Sequence, residues 1–441
     1  IGGTYVPAPL YTNGVFQMSI WERYSSEQRK KYVDFVRMYG SLSAMFNQKA
    51  SETGAPYLDS KFQETIYARS FNSENVDIGN TPHDILSVVD EDRIGIGIKT
   101  WLNSNPSFQK VMQLKRYRNE LDPYIQNQKA DDLTNKLSEI KNDRLITDYG
   151  RLGLSDDQNI YHYVTRDEGQ MEIQETAYPL IDMNKVHPVK MTNTSLTFTD
   201  GIKDYKYTFG DSQIWMRFGE NDDSTLLEKI PVEIMEDPFE FLRNAFASTE
   251  FKHTSREPTR DDIFLPLYSY QRQDVMQASG INASFGKPKN KNSDTPRPEA
   301  EVYIPIPSVF KEKYPYWFND NVDITNYKAF KQNTGQSSIS LKLHLPDGKI
   351  YDALVGQEGF KALETAPQSA LGKWLLYDVL KLKPRQHVTM DILEQKGFDS
   401  VRLWHKDPNN KTDVWIDFAP LGSFESFIKK DPIDLSQIDD E

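Results

Sequence analysis

The chain has 441 residues, 52 Lys+Arg against 65 Asp+Glu, a net charge of −13 and no cysteine. That length suits two or three domains, and the missing thiols exclude disulfides, zinc–thiolate sites, iron–sulfur clusters and a cysteine nucleophile. No apolar run approaches the roughly 20 residues that span a bilayer, and Ile1-Gly2-Gly3-Thr4 lacks the basic and apolar regions of a signal peptide, so a cytoplasmic protein with no membrane contact is expected.

Residues 1 to about 55 read as polar and helical. Ser25-Ser26-Glu27-Gln28 is a helix entry, and Tyr32, Phe35, Val36 and Tyr39 recur at helical spacing. Asp59 or Ser60 caps a next helix with Phe62 and Ile66 on one face; Glu64 lies between them and need not face the core. A hairpin follows, with Asp90-Glu91-Asp92-Arg93 as its loop. This loop pairs Val89 with Ile94, Leu86 with Gly97 and Asp84 with Lys99. One face then carries Ile85, Val89, Ile94, Ile96 and Ile98 against a core, the other Asp84, Gly95, Gly97 and Lys99. A helix is predicted from Ser107 to Glu120 and a charged helical stretch over 125–145. From about 161 short strands take over, including Tyr161–Val164, Met171–Ile173, Ser195–Phe198, Tyr205–Phe209 and Ile214–Phe218.

A carboxylate beside an amine on a glycine-opened surface suits a phosphate substrate. Asp84 can hold a divalent metal, and Lys99 can orient water or balance charge on the phosphorane. An isolated Asp–Lys pair is by itself a surface salt bridge. Here a helix bearing Glu64 precedes the pair, and the stretch with Gln109, Lys110, Gln113, Lys115 and Arg116 follows it. Over residues 57–120 this order resembles the PD-(D/E)xK nuclease superfamily: a helix with an acid, a hairpin with Asp and then acid-x-Lys, and a further polar helix. The resemblance implies Mg²⁺, with Asp84 and Glu64 as metal ligands and Asp84, Lys99, Glu64 and Gln113 as the catalytic set. Gln113 and Tyr117 also repeat a Gln-x-x-x-Tyr spacing found in some members. The chain departs from the pattern at Gly97, where the second acid belongs. That leaves a carbonyl near Ile98, Glu64, His83 or Gln113 to complete the ligand set. Other chemistries lack their motifs. There is no His-x-Lys, Gly-x-Ser-x-Gly, phosphate-binding loop or His-Glu-x-x-His.

Residues 280–300 are polar, basic and rich in Gly, Pro, Asn and Ser, a composition that reads as linker. Strands follow at Ile339–Leu345, Ile350–Val355, Ser400–Trp404 and Val414–Phe418, with an amphipathic helix near Leu371–Leu380. From Gly280 to Lys411 basic residues outnumber acidic ones, which permits DNA binding on an otherwise acidic chain. Glu301-Val-Tyr-Ile-Pro-Ile-Pro307, Leu345-Pro-Asp-Gly348, Lys361-Ala-Leu363, Ser369 to Leu376, Val388-Thr389 and Gly397-Phe-Asp-Ser-Val401 occur in order. Over about 279–418 these blocks resemble the C-terminal domain of NgoFVII-type restriction endonucleases. That domain is similar to the B3 and EcoRII N-terminal DNA-binding fold, a seven-stranded open pseudobarrel. The resemblance implies a DNA-gripping arm near Ser279–Glu301. Asn282 would face an adenine edge and Arg297 a guanine, with Lys287, Lys289, Lys291, Lys361, Lys373 and Arg402 on phosphates.

The expected fold is α+β and multidomain: a PD-(D/E)xK-like α/β nuclease core over 1–270, extended by mixed β structure from about 161; a linker or arm over 271–301; a B3-like pseudobarrel over 302–425; and an acidic tail over 426–441. The expected function is that of a Type II restriction endonuclease cutting double-stranded DNA with Mg²⁺. It would act as a homodimer or a transient dimer on DNA, alongside a cognate methyltransferase. Two rivals are a modification-dependent endonuclease and a non-catalytic DNA-binding protein with a degenerate nuclease fold.

Overall fold

The computed structural model describes residues 10–12, 15–17, 19–46, 54–79, 81–103, 107–219, 224–247, 261–287 and 297–429. The chain is mixed α+β and divides into two compact units, Ile1–His253 and Thr254–Glu441.

The N-terminal unit begins with a small hairpin, β1 (Leu10–Thr12) and β2 (Val15–Gln17). Then come α1 (Ile20–Arg23), α2 (Ser26–Ser41) and α3 (Ser60–Phe71). The predicted entry to α2 is a capping box: Ser25 Oγ accepts from the Gln28 amide at 3.2 Å and Gln28 Oε1 accepts from the Ser25 amide at 3.0 Å. Next are β3 (Glu74–Asn75), β4 (Ile85–Val89), β5 (Asp92–Leu102), β6 (Ser107–Gln113), α4 (Arg118–Gln126) and α5 (Ala130–Leu152). The unit ends with β7 (Ile160–Asp167), β8 (Gln170–Ala177), β9 (His187–Met191), β10 (Ser195–Thr199), β11 (Asp204–Thr208), β12 (Gln213–Phe218), β13 (Ser224–Pro231) and α6 (Pro238–Ala247).

Two sheets organise this unit. One has six strands in the order β13-β8-β7-β5-β4-β3, the other five in the order β6-β12-β11-β10-β9. All pairs in the six-stranded sheet are antiparallel except β5 with β7. A parallel neighbour needs a crossover, which β6, α4 and α5 supply. The face bearing Ile85, Ile94, Ile96 and Ile98 packs on Trp21, Tyr32, Val36, Ile66 and Phe71 of the first three helices, as the alternation along the hairpin predicts. Trp101, Tyr161 and Tyr163 belong to the opposite core, with Leu133, Leu137 and Leu145 of α5 and the five-stranded sheet.

The sequence reading fails at 107–120. Ser107–Gln113 is a strand rather than a helix, followed by a 3₁₀ turn at Lys115–Tyr117. The stretch is polar enough to suit either state, and pairing along β12 from Phe218 to Gln213 decides it.

Lys141, on α5, is almost fully buried. Its ammonium donates to the Pro179 carbonyl at 3.3 Å and lies over the Tyr178 and Tyr205 rings. Burial pushes its pKa down to about 7, against a partial upward pull from Asp200. The unfolded chain holds this proton up to about pH 10.4. Between these values the unfolded state binds more protons, so stability rises with pH across that window. Urea midpoints at pH 7, 8 and 9 should climb in the native chain and flatten in Lys141→Met; equal slopes in both would show that another group governs the dependence.

The C-terminal unit comprises β14 (Ile263–Pro266), β15 (Ile304–Pro305), α7 (Ser308–Lys313), α8 (Tyr327–Thr334), β16 (Ile339–His344), β17 (Ile350–Gly356), β18 (Ala362–Ala366), α9 (Ser369–Gly372), α10 (Met390–Lys396), β19 (Phe398–Trp404), β20 (Asp413–Pro420) and α11 (Ser423–Lys429). Its sheet has seven strands, in the order β14-β19-β20-β16-β17-β18-β15. The edge strands β14 and β15 approach each other, so the sheet is nearly closed and barrel-like. Trp374 and Phe398 pack on Phe418 inside it. β14 pairs with β19, so residues expected in the first domain belong to the second unit. Nor is all of 271–301 linker. Gly280–Phe285 forms a 3₁₀ segment with Ile281, Asn282, Ala283 and Ser284 buried.

Candidate active site

The β4–β5 hairpin turns through two residues, not four. Asp90 and Glu91 both have left-handed φ, 49° and 73°, the signature of a tight two-residue hairpin turn. Val89 therefore pairs with Asp92, Leu86 with Gly95 and Ile85 with Ile96. This register differs by two residues from the one predicted. Strand side chains alternate with period two, so every residue keeps its predicted face. Asp84 now stands beside Gly97, and Lys99 is its diagonal neighbour on the same face rather than directly opposite.

Asp84 is anchored from two sides. Its amide donates to the Ile96 carbonyl at 3.0 Å, and its Oδ2 accepts from the Ile98 amide at 2.7 Å. Burial raises its pKa, while Lys99 and the Ile98 amide pull it back down. Glu64 comes from α3, whose first turn is fixed by the Asp59 side chain accepting from the Lys61 and Phe62 amides. Only 9% of Glu64 is exposed, although its spacing does not require burial. Burial raises its pKa, Lys61 lowers it and Asp84 raises it further. Lys61 Nζ lies 2.8 Å from Glu64 and 3.4 Å from Asp77. Its pKa is raised, with burial outweighed by Glu64, Asp77 and Asp84.

Asp84, Glu64 and Lys99 thus form one electrostatically coupled group, joined by Lys61 and Asp77. Sequence reasoning missed Asp77. It sits in the loop ahead of Asp84, where its Oδ1 accepts from the Thr81 amide, and no periodicity or spacing singles it out. Glu64 is buried and Asp84 half-buried, and two such carboxylates with raised pKa values suit a hard divalent cation, which would offset the repulsion between them. Mg²⁺ is commonly held by one or two carboxylates plus water and substrate phosphate. Among the described residues no cluster of three or more acidic or His side chains forms a fuller metal cage.

The other helpers expected here are placed elsewhere. His83 is fully buried, with Nδ1 2.7 Å from Asp148 Oδ2. Arg151 Nε in turn donates to Asp148 Oδ1 at 2.7 Å. Burial opposes the Asp148 charge, but Arg151 and His83 lower its pKa overall. The His83 ring lies against Gly95, where a Cβ would come within 2.6 Å of its Cδ2. Gln113 closes β6 in the five-stranded sheet. Its Nε2 donates to the Asp211 and Ser212 carbonyls and its Oε1 accepts from Gln213. Beyond β6 and α4, the long helix α5 buries Thr134, Ser138, Lys141, Asn142, Thr147, Asp148 and Arg151.

Gly97 has a packing explanation. In the parallel ladder it lies beside Tyr161, and a Cβ there would come within 2.7 Å of the Tyr161 ring. That ring is stacked on Tyr178 with centroids 3.8 Å apart. Aromatic carbon fills the space that a second acid would need.

In the C-terminal unit Asn282 is corrected from base reader to fold element. Its Nδ2 donates to the Met276 and Val388 carbonyls, and its Oδ1 accepts from the Val388 amide. Asn282→Ala should lower stability by about 1–3 kcal/mol by stranding buried backbone groups, read as a lower urea midpoint; an unchanged midpoint would show that these bonds contribute nothing net. Arg297 is likewise engaged within the fold, donating to the Lys287 carbonyl at 2.8 Å and to buried Glu301 at 3.0 Å. Arg402 stacks over Trp404 and lies 3.8 Å from Asp262. Lys287, Lys361 and Lys373 are exposed. Lys289 and Lys291 lie outside the described residues. No protein-family model matches the chain, and no curated protein matches it.

Proposed function

We propose that this chain is a Mg²⁺-dependent, sequence-specific endonuclease of double-stranded DNA, of the Type II restriction class, whose N-terminal unit cuts and whose C-terminal unit reads the site. The observation that carries the reading is the electrostatic coupling of Glu64 to Asp84, both with raised pKa values, with Asp84 on the strand face that bears Lys99. The order of elements supports it: α3 with an acid, the β4–β5 hairpin with Asp84 and Lys99, then, after β6 and α4, the long helix α5. With those two elements inserted, the order resembles that of the PD-(D/E)xK superfamily. The seven strands of the C-terminal sheet match the strand number of a B3-like pseudobarrel.

Glu64 and Asp84 would hold the cation. When bound, it supplies charge stabilisation to the scissile phosphate and acidifies a water. The Ile98 amide fixes the Asp84 carboxylate, so ligand geometry is set by the strand backbone before substrate arrives. Lys61 bridges Glu64 and Asp77 at the rim. Lys99 orients water or donates to a phosphate oxygen as charge grows there. One such site cuts one strand per event, so a double-strand break would be made by a homodimer or a transient dimer on DNA. A methyltransferase protecting the same sequence would be the functional partner.

Incubating the chain with unmodified and cytosine-modified plasmid, with Mg²⁺ or with EDTA, tests the reading. Cutting of unmodified DNA at fixed positions that EDTA abolishes is the expected result. Cutting restricted to modified DNA favours the modification-dependent enzyme. Salt-sensitive binding with no cutting at all favours the degenerate nuclease, whose strongest support is the aromatic filling at Gly97.

A further inference from the structure

A pocket of about 540 Å³ opens in the C-terminal unit, a size suited to a small organic ligand. It lies between the turn after β14, the start of β15, α7 and the β17–β18 loop. Its lining includes Tyr270, whose ring packs edge-on against Phe424, and Tyr303, with Gln271, Gln357, Lys311 and Lys361.

Two features mark this as more than a gap between elements. First, the lysines are brought together. Lys311 Nζ donates to the Gly359 carbonyl at 2.7 Å. Its pKa is lowered first by burial and then by Lys361, and the neighbouring Glu312 does not offset them. Like charges converging beside aromatic surface favour an anion there. Second, the loop carrying Gln357 and Lys361 is held in an uncommon backbone conformation. Gln357, Gly359 and Phe360 all have left-handed φ, 60°, 85° and 51°. Phe360 is fully buried, with its ring against Tyr327 and Phe330. A buried anchor thus forces the strained loop to present an amide and an ammonium at the rim, and such strain concentrates where a ligand is gripped.

We propose that this pocket holds a single nucleotide, with its base against Tyr270 and Tyr303 and its phosphate on Lys311 and Lys361. The volume exceeds what a lone phosphate fills, and the tyrosines supply the flat surface that a base stacks on. The assignment rests on the DNA-reading role proposed for this unit. The nucleotide is either free or turned out of a duplex, and a duplex gives it up more readily where pairing is already broken.

The test uses the full chain and Lys361→Glu, an exposed substitution whose folding is checked by its melting temperature. Calorimetry with dAMP, dCMP, dGMP, dTMP and 5-methyl-dCMP reads the free nucleotide. Fluorescence anisotropy with a random-sequence duplex, fully paired or carrying one central mismatch, reads the extruded one. The proposal expects at least one arm to be positive. Either a mononucleotide binds and the variant weakens it at least tenfold, or the mismatch tightens duplex binding at least threefold and the variant abolishes that gain. A response in the first arm alone assigns a free nucleotide, and in the second an extrahelical one. No mononucleotide binding and no mismatch preference, with paired-duplex binding intact, overturns the pocket and leaves the DNA-reading role standing. Loss of all DNA binding together with all nucleotide binding overturns both. Inorganic phosphate matching the best mononucleotide in affinity also overturns the proposal, since the base would then contribute nothing.

Discussion

Asp84→Asn is expected to lower DNA cleavage by at least about two to three orders of magnitude, the scale seen when one charge-stabilising group is lost from a reacting phosphate or carbonyl, while leaving DNA binding intact. Asparagine is nearly the same shape, and its Oδ1 can still accept from the Ile98 amide, which Asp84 Oδ2 accepts from at 2.7 Å. The fold should therefore survive, and the loss should report the carboxylate charge. The native chain should carry a second signature. Burial, together with Asp84 in the case of Glu64, raises the pKa of both carboxyls. Protons then compete with the cation at a higher pH than for an ordinary carboxylate. Cleavage should fall on acidification sooner than two exposed carboxylates would give, and extra Mg²⁺ should restore part of it. A plasmid-nicking assay across pH 5.5 to 8 at two Mg²⁺ concentrations reads both effects. Undiminished cutting by Asp84→Asn would move the active site elsewhere in the chain.

The second large effect runs against the motif. Gly97→Glu installs the acid that the superfamily pattern lacks here, and it should reduce stability rather than improve catalysis. The new Cβ alone would lie within 2.7 Å of the Tyr161 ring and 3.3 Å of Tyr178. Tyr161 is fully buried and stacked, so it has little room to yield. Overpacking of this kind costs about 1–3 kcal/mol, and a buried carboxylate adds a desolvation cost. Gly97→Ala isolates the steric part, and both variants should unfold at lower urea than the native chain. Adding Tyr161→Ala to Gly97→Glu should give a smaller loss than the two single losses combined, because the pair shares one space. A stable, hyperactive Gly97→Glu would show that the aromatic pair is mobile and that the site awaits its second acid.

Much of the site was legible because local rules decide it. The Ser25–Gln28 capping box and the Asp59 cap follow from residue types at fixed spacing. The faces of the β4–β5 hairpin survive a two-residue slip because the strand period is two. Asp84 and Lys99 therefore share a surface under either register. The register itself was misread because Asp90-Glu91-Asp92-Arg93 looks like one charged loop. Only the backbone reveals that Asp90 and Glu91 alone turn, with Asp92 already in the strand.

Where partners come from distant parts of the chain, the sequence was a poor guide. Glu64 is buried and paired with Lys61, which also reaches Asp77 from the following loop, and nothing in the α3 pattern demands it. Asn282 looked like a DNA-reading amide in a polar stretch, yet Val388, 106 residues further on, takes up both ends of that amide.

By itself, the sequence determined the ingredients: a chain without thiols, a hairpin with one apolar face, and an Asp and a Lys on the other. It determined these because hydrophobic alternation and turn chemistry act over a few residues. The tertiary structure decided what those ingredients face. Packing of α3 brings Glu64 up to Asp84, and pairing of β5 with β7 places Tyr161 against Gly97. A missing carboxylate reads in sequence as a gap. In the folded chain that gap is occupied by a stacked tyrosine pair, because a parallel ladder closes only after some sixty residues of intervening chain have folded back.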